Sequence, residues 1–325
     1  MRLASYEELL ERSLPVDHKW STGLASPGFD PRANEPLLFS IPANHPRYST
    51  LPHYKLVVQG LSQFSFKSSD LLLIDKAVEP YLATYKDKVG RFLVFNPIEG
   101  ELKTLDYLDD LANKLTSENQ RIVAVGGGII LNCAAYIAEK LSLDLVLVPT
   151  TVLSMSDTAV GGKVRVNKIE NGSYVKHAYK SFYEPSLVII DPDFLSYLST
   201  DQIQIGLAEI IKHAIYQSPG LTSYLLSDRF NPFKDMDSLL LAILWTVELK
   251  RVSLEGDPNE EAGGQMILRA AHNLSDKLEE QSKFSLSHGE AVLRAMSIDV
   301  RGNPTRESVL KEVYSKIGIA IEDLD

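Results

Sequence analysis

The chain has 325 residues, 44% hydrophobic and 23% charged, enough to bury one or two ordinary globular cores, and carries a formal net charge of −10. That charge, with no clustered Lys and Arg, excludes a nucleic-acid binder that draws its affinity from phosphates and points to a small-molecule partner. No apolar run approaches the roughly 18 residues that cross a bilayer, so a cytoplasmic protein without a membrane partner is expected, and a single cysteine, Cys133, leaves any metal to His and carboxylate.

Residues 1–50 begin with an amphipathic acidic stretch, MRLASYEELLERS, and continue rich in Pro, Asn, Ser and His with little periodicity, which predicts an N-terminal extension. From Tyr54 the pattern changes to short apolar runs: YKLVV, LLLID, RFLVF, RIVAV, LDLVLVP and SLVIID. Continuous apolar runs of this length are expected of strands buried on both faces of a parallel sheet. Amphipathic stretches such as LKTLDYLDDLANKL and ILNCAAYIAEKL lie between them, so residues 51–193 are predicted to form a doubly wound α/β domain. After Asp191 the strand-like runs stop, and DQIQIGLAEIIKHAIY and LLLAILWTVELKRVSLEG carry apolar residues at helical spacing. A mostly helical domain is expected over residues 194–325, with a ligand in the cleft between the two.

Three features carry chemistry. Gly126, Gly127 and Gly128 follow a predicted strand and precede a helix, where bare backbone can approach a pyrophosphate and a helix N-terminus can stabilise its charge; a glycine triplet can also be a tight turn. Asp75, at the end of LLLID, can accept hydrogen bonds from ribose hydroxyls and would disfavour a 2′-phosphate, while Glu101 and Lys103 occupy a loop after the next strand and can equally be solvated charge. Downstream of LDLVLVP come Thr150, Thr151, Asp157 and a Gly-Gly-Lys turn ending in Lys163, a density of small polar groups that packing does not explain.

In the helical part, GLAEIIKHA places Glu209 one turn before Lys212 and His213, LRAAHNLSDKLEE carries His272 and Asp276 at i, i+4, and SLSHGEAV puts His288 at a helix start. Glu209, His272 and His288 would make an open catalytic zinc shell, although lone histidines are more often surface or core residues.

GGG, VPTT, SDTAVGGK, VIIDPDFL, GLAEIIKHAI and SHGEAV stand in the order and near the intervals found in the dehydroquinate synthase superfamily of sugar phosphate cyclases, which the chain resembles from about Tyr54 to Val292. The superfamily also contains 2-deoxy-scyllo-inosose and 2-epi-5-epi-valiolone synthases. The resemblance implies an NAD-binding domain followed by a helical metal domain, with Zn²⁺ or Co²⁺ on Glu209, His272 and His288. It implies nucleotide contacts at Asp75, Glu101, Lys103, Gly127, Gly128, Thr150 and Thr151, and a substrate site at Asp157, Lys163, Lys212 and Lys250. Lys176 matches the lysine of the family's GKN turn. A homodimer is implied as well. The implied chemistry is transient oxidation of a ring hydroxyl by NAD, loss of phosphate, return of the hydride and aldol closure to a carbocycle.

Several positions depart from the family pattern. Asn132 replaces an acid usual near the nicotinamide, and in QMILRAAHNLSDKLE the residues Gln265, Arg269 and Asp276 stand where Arg, Asn and His are usual. His177 replaces the Asn of GKN, no basic residue precedes VPTT, and the chain ends 37 residues after His288, short of the family's last basic contact. Loss of several anion-binding groups together, with metal and nucleotide motifs kept, implies a changed substrate, such as a seven-carbon ketose phosphate, or a changed reaction. Arg269 and His177 could supply replacement charge, and Asp276 could orient a metal ligand or water. The alternatives are 3-dehydroquinate synthase itself, an NAD- and metal-dependent polyol dehydrogenase, and a non-catalytic binding subunit.

Overall fold

The computed structural model describes residues 36–38, 55–115, 120–256, 271–282 and 285–319. Arg269, Gln265 and most of the N-terminal extension lie outside them. The chain divides into two compact units between Phe194 and Leu195.

The first unit is built on a seven-stranded sheet in the order β1-β2-β9-β6-β5-β3-β4, from β1 (Pro36–Leu38), β2 (Lys55–Val58), β3 (Asp70–Asp75), β4 (Arg91–Phe95), β5 (Arg121–Gly126), β6 (Asp144–Pro149) and β9 (Leu187–Ile190). All pairs are parallel except β1 against β2. Strands β3, β5 and β6 are buried almost throughout, so they need apolar residues at consecutive positions, and the runs LLLI, IVAV and LVLV supply them. Helices α1 (Glu99–Leu102), α2 (Leu105–Lys114) and α3 (Gly128–Leu141) belong to this unit, and α3 packs on β5 and β6, with Ile130, Leu131, Ala134 and Ile137 among its buried residues. The chain moves outward from β3 to β4 and then returns to the other side of β3 as β5. That reversal makes the carboxyl ends of β3 and β5 a topological switch point, where open α/β sheets bind ligands.

Two features differ from the sequence expectation. Residues Pro36–Leu38, read as extension, form the antiparallel edge strand; three residues are too few to show a period, and the pairing is non-local. Strands β7 (Lys163–Glu170) and β8 (Ser173–Phe182) form a separate antiparallel ribbon instead of continuing the strand-helix alternation. Its two-residue turn is Asn171-Gly172 with φ of 53° and 77°, the sense that matches strand twist, so the Asn-Gly pair after KVRVNKIE was a readable signal.

The second unit is helical: α4 (Thr200–Gly206), α5 (Ala208–Tyr216), α6 (Pro219–Leu226), α7 (Met236–Gly256), α8 (His272–Gln281), α9 (His288–Asp299) and α10 (Pro304–Lys316). Helix α7 is apolar on every side from Leu239 to Val247, and a helix with that pattern must be central, as it is here. Helices α5 and α6 pack against it, while α8 packs on α9, which in turn packs on α5 and α4. Among the described residues no helix is long and apolar enough to cross a membrane.

Candidate functional site

In the α/β unit, Asp75, Gly126, Gly127, Gly128, Thr150 and Thr151 gather at the carboxyl ends of β3, β5 and β6. A Cβ built on Gly126 would lie 2.9 Å from the Cβ of Asp75 and 2.9 Å from Ile130, so only glycine lets β5 end against β3 and turn into α3. Gly128 is tight in the same way, 2.9 Å from the Thr158 hydroxyl. Gly127, the residue before α3, is different: its nearest neighbour is Thr151 at 3.6 Å, which leaves room over the backbone beside the helix N-terminus. Asp75 is buried and accepts hydrogen bonds from the N–H groups of Ala77, at 2.9 Å, and Gly127. Burial pushes its carboxyl above the ordinary value, and the two amides partly offset this. Thr150 donates its N–H to Gly126 at 3.1 Å, and the Thr151 hydroxyl pairs with Ser154 at 2.9 Å, so the end of β6 is tied to the same loop.

Asn132 uses both ends of its amide: Nδ2 donates to the Gly128 carbonyl at 3.0 Å, and Oδ1 accepts the Arg165 N–H at 2.9 Å. A carboxylate could make the second bond but not the first, so this Asn pins the first turn of α3 to the β7 strand. Lys103 is buried, its carbonyl accepting the Asn167 N–H at 3.0 Å, whereas Glu101 is exposed on α1. Asp157 lies in a π-type turn, Ser154–Thr158, and is half-buried; such turns occur often at functional sites. Lys163 opens β7 after Gly161 and Gly162, whose φ of 94° and 62° form the Gly-Gly-Lys turn. Lys176 lies on β8 near the bulge between Val166 and Lys168, so the two backbones are separated along the ribbon by about four residues, roughly 13 Å. His177 has a φ of 52° and donates its N–H to Asn167 Oδ1 at 3.0 Å.

Glu184, between β8 and β9, was not singled out from sequence. Its Oε1 is buried without a hydrogen-bond partner, its Cγ lies 2.9 Å from where a Gly162 Cβ would be, and burial pushes its carboxyl up to about 7.

The helical unit brings its three predicted metal ligands together. Glu209 on α5, His272 at the start of α8 and His288 at the start of α9 offer ligand atoms all within 4.8 Å of one another. His272 Nε2 and His288 Nε2 lie 3.6 and 3.5 Å from Glu209 Oε1. Glu209 is 0% exposed and its Oε1 has no hydrogen-bond partner, while its Oε2 is paired with the buried Lys212 ammonium. Burial alone would raise the Glu209 carboxyl, but Lys212 and the two imidazoles outweigh it and hold it well below the usual carboxylate range. A buried anionic oxygen facing two imidazole nitrogens fits a divalent cation that accepts mixed N and O ligands, such as Zn²⁺. Local sequence sets two of the positions: Ser287 and Glu290 form a capping box that starts α9 at His288, and Ala271, at φ 60°, turns the chain into α8 at His272.

Sequence reading missed Glu279. It is buried on α8, and its Oε1 lies 2.8 Å from His288 Nδ1. The signal was its place seven residues after His272, on the same helical stripe. Asp276 is half-buried on α8, and Lys250 is fully buried on α7, where the neighbouring Arg251 pairs with Glu248 at 2.6 Å.

A parallel sheet with a glycine loop at its switch point, joined in sequence to a helical unit with a Glu-His-His cluster, defines an α/β protein of the dehydroquinate synthase type. The 3-dehydroquinate synthase N-terminal model matches residues 95–205, and the corresponding C-terminal model matches residues 206–321. The chain belongs to the 3-dehydroquinate synthase family. It is 34% identical over 246 residues to the 3-dehydroquinate synthase of Methylacidiphilum infernorum, covering 72% of this chain and 66% of that protein. It is 31% identical over 252 residues to that of Microcystis aeruginosa, covering 73% and 68%. The chain thus spans about two thirds of the length of such relatives. Its fold is similar to that of 2-epi-5-epi-valiolone synthase from Streptomyces hygroscopicus subsp. jinggangensis 5008, solved with NAD⁺ and Zn²⁺, at a TM-score of 0.70 and 22% identity over 83% of this chain and 82% of that one. It is also similar to 2-deoxy-scyllo-inosose synthase complexed with carbaglucose-6-phosphate, NAD⁺ and Co²⁺, at a TM-score of 0.67 and 20% identity over 88% and 81%.

Proposed function

We propose that the protein is an NAD- and metal-dependent sugar phosphate cyclase, a phosphate-eliminating lyase whose substrate is a ketose phosphate other than the ordinary family substrate. The observation that carries this reading is the Glu209, His272 and His288 cluster with its unpartnered carboxylate oxygen. Glu209, His272 and His288 hold a divalent metal, and Gly126, Gly127 and Gly128 leave the backbone bare for the pyrophosphate of NAD at the N-terminus of α3. The Asp75 carboxylate, held at the end of β3, favours a free ribose over a 2′-phosphate. When bound, NAD supplies reversible hydride removal and the metal supplies polarisation of the developing ketone.

The chain's own residues then bind and orient. Lys212, buried against Glu209, places an ammonium beside the metal ligand, and Asp157, Lys163 and Lys250 supply further polar contacts to substrate. Changes at Gln265, Arg269, Asp276 and His177 remove the basic and amide groups that the family uses for phosphate and carboxylate, which favours a substrate without a carboxylate. The identity of the relatives favours 3-dehydroquinate synthase itself as the second reading.

The test is to incubate the NAD- and Zn²⁺-loaded protein with seven-carbon ketose phosphates with and without a carboxylate, following free phosphate, NADH and NMR of the product. Phosphate release from the uncarboxylated sugar, a carbocyclic product and no net NADH are expected. Phosphate release from the carboxylated sugar alone would establish the second reading, and net NADH without phosphate would replace both with a dehydrogenase.

A further inference from the structure

We propose that Glu279, a residue that touches neither metal nor substrate, is a positioning residue that sets which nitrogen of His288 faces the metal and thereby tunes metal affinity. The inference rests on the reading of Glu209, His272 and His288 as a metal site. An imidazole has two nitrogens, and it ligates well only when the outward one is fixed as a donor and the inward one is left with its lone pair. Glu279 Oε1 lies 2.8 Å from His288 Nδ1, while His288 Nε2 faces Glu209 Oε1 at 3.5 Å. The carboxylate therefore calls for the proton on Nδ1 and leaves Nε2 for the cation.

Glu279 is suited to this because it is 4% exposed and cannot turn to solvent without repacking. A buried carboxylate is costly unless it accepts hydrogen bonds, so the His288 orientation is enforced from the back of the ring. The surrounding chain holds the geometry. Ser282, which caps the C-terminus of α8, donates its hydroxyl to the Glu279 carbonyl at 2.9 Å and accepts the Leu286 N–H at 3.2 Å, which ties the end of α8 to the segment leading into His288. One helix thus provides both a metal ligand, His272, and the acceptor that orients another. Glu209 is treated in the same way, with Lys212 on its Oε2 leaving Oε1 inward.

The experiment uses the full chain stripped of metal and compares wild type with Glu279→Gln and Glu279→Ala. Zn²⁺ affinity is measured by calorimetry against a competing chelator, the ligand-field spectrum is recorded with Co²⁺, and melting temperature is measured without metal. Zn²⁺ binding weaker by about 10–100-fold in Glu279→Ala, less in Glu279→Gln, is expected, with a shifted Co²⁺ spectrum and unchanged NAD affinity. A lowered metal-free melting temperature with Zn²⁺ affinity within twofold of wild type would overturn the inference and leave Glu279 a helix-packing group. If the wild type itself takes up no metal, the metal reading falls together with the inference; if it binds one metal and both variants bind it equally, the inference alone falls.

Discussion

The glycine loop of the α/β unit and the Glu-His-His cluster of the helical unit are built on opposite terms. At the loop, polar groups are satisfied within the chain: Asp75 takes two backbone amides, Asn132 spends both ends of its amide, and Thr151 pairs with Ser154. At the cluster, a fully buried carboxylate oxygen has no hydrogen bond and is held beside two imidazoles. The first region satisfies its polar groups internally, and the proposed pyrophosphate would need only bare backbone and a helix end there. On the proposed reading the second is completed by a cation, because Glu209 Oε1 makes no hydrogen bond and faces two imidazole nitrogens at 3.5 and 3.6 Å. Stability of the helical unit should therefore respond to metal, and that of the α/β unit should respond to glycine geometry more than to cofactor.

The largest effect that would sharpen this contrast is expected at Glu209. In metal-free protein, Glu209→Ala breaks the buried ion pair with Lys212 and should lower stability by about 3–5 kcal/mol, read by urea denaturation. The same variant should bind no Zn²⁺ while keeping wild-type NAD affinity. Retained metal occupancy would break the comparison at its centre.

Next come the glycines. Gly126→Ala forces a methyl against Asp75 and Ile130 and should cost about 1–3 kcal/mol of stability. Gly127→Ala meets only ordinary contacts, so thermal unfolding should stay within roughly 0.5 kcal/mol of wild type while calorimetry shows weakened NAD binding. Equal losses of stability would mean that the loop is purely a packing device.

A smaller, pH-dependent effect belongs to Glu184. Its folded carboxyl is raised from 4.5 to about 7, so the wild type loses stability as pH rises through that window and keeps it below. Glu184→Gln does not titrate and should be more stable than wild type by on the order of 1–2 kcal/mol at pH 8, after allowance for partial solvent screening, with the gain vanishing near pH 4. A pH-independent difference would contradict the burial argument. The smallest effect is expected at Ala271, whose φ of 60° is costly for a residue with a Cβ. Ala271→Gly should raise the melting temperature of metal-free protein, by a gain of roughly 0.5–1 kcal/mol.

Most of the sheet and the loop site could be read in advance because their signals are local. LLLID, RIVAV and LDLVLVP are buried strands by composition alone, and the glycine triplet sits directly between a strand and a helix. The ribbon was legible in its Asn-Gly turn and alternation, yet the expectation of continued strand-helix repeats overrode that signal. The metal cluster was only partly legible. Glu209, His272 and His288 come from three helices, and single histidines on helices carry little information until a pattern of neighbouring motifs orders them.

By itself the sequence determined the class of fold, the switch from buried strands to helices near residue 194, and which residue types were available to bind a metal in a chain with one cysteine. Periodicity and composition act over a few residues, so they suffice for such statements. Only the tertiary structure decided that Asp75 closes on Gly126, that Pro36–Leu38 pairs with β2, that Glu209 Oε1 is left without a donor, and that Glu279 stands behind His288. Each of these depends on distances between segments far apart in the chain, set by strand order and helix packing, and such distances have no counterpart in local spacing.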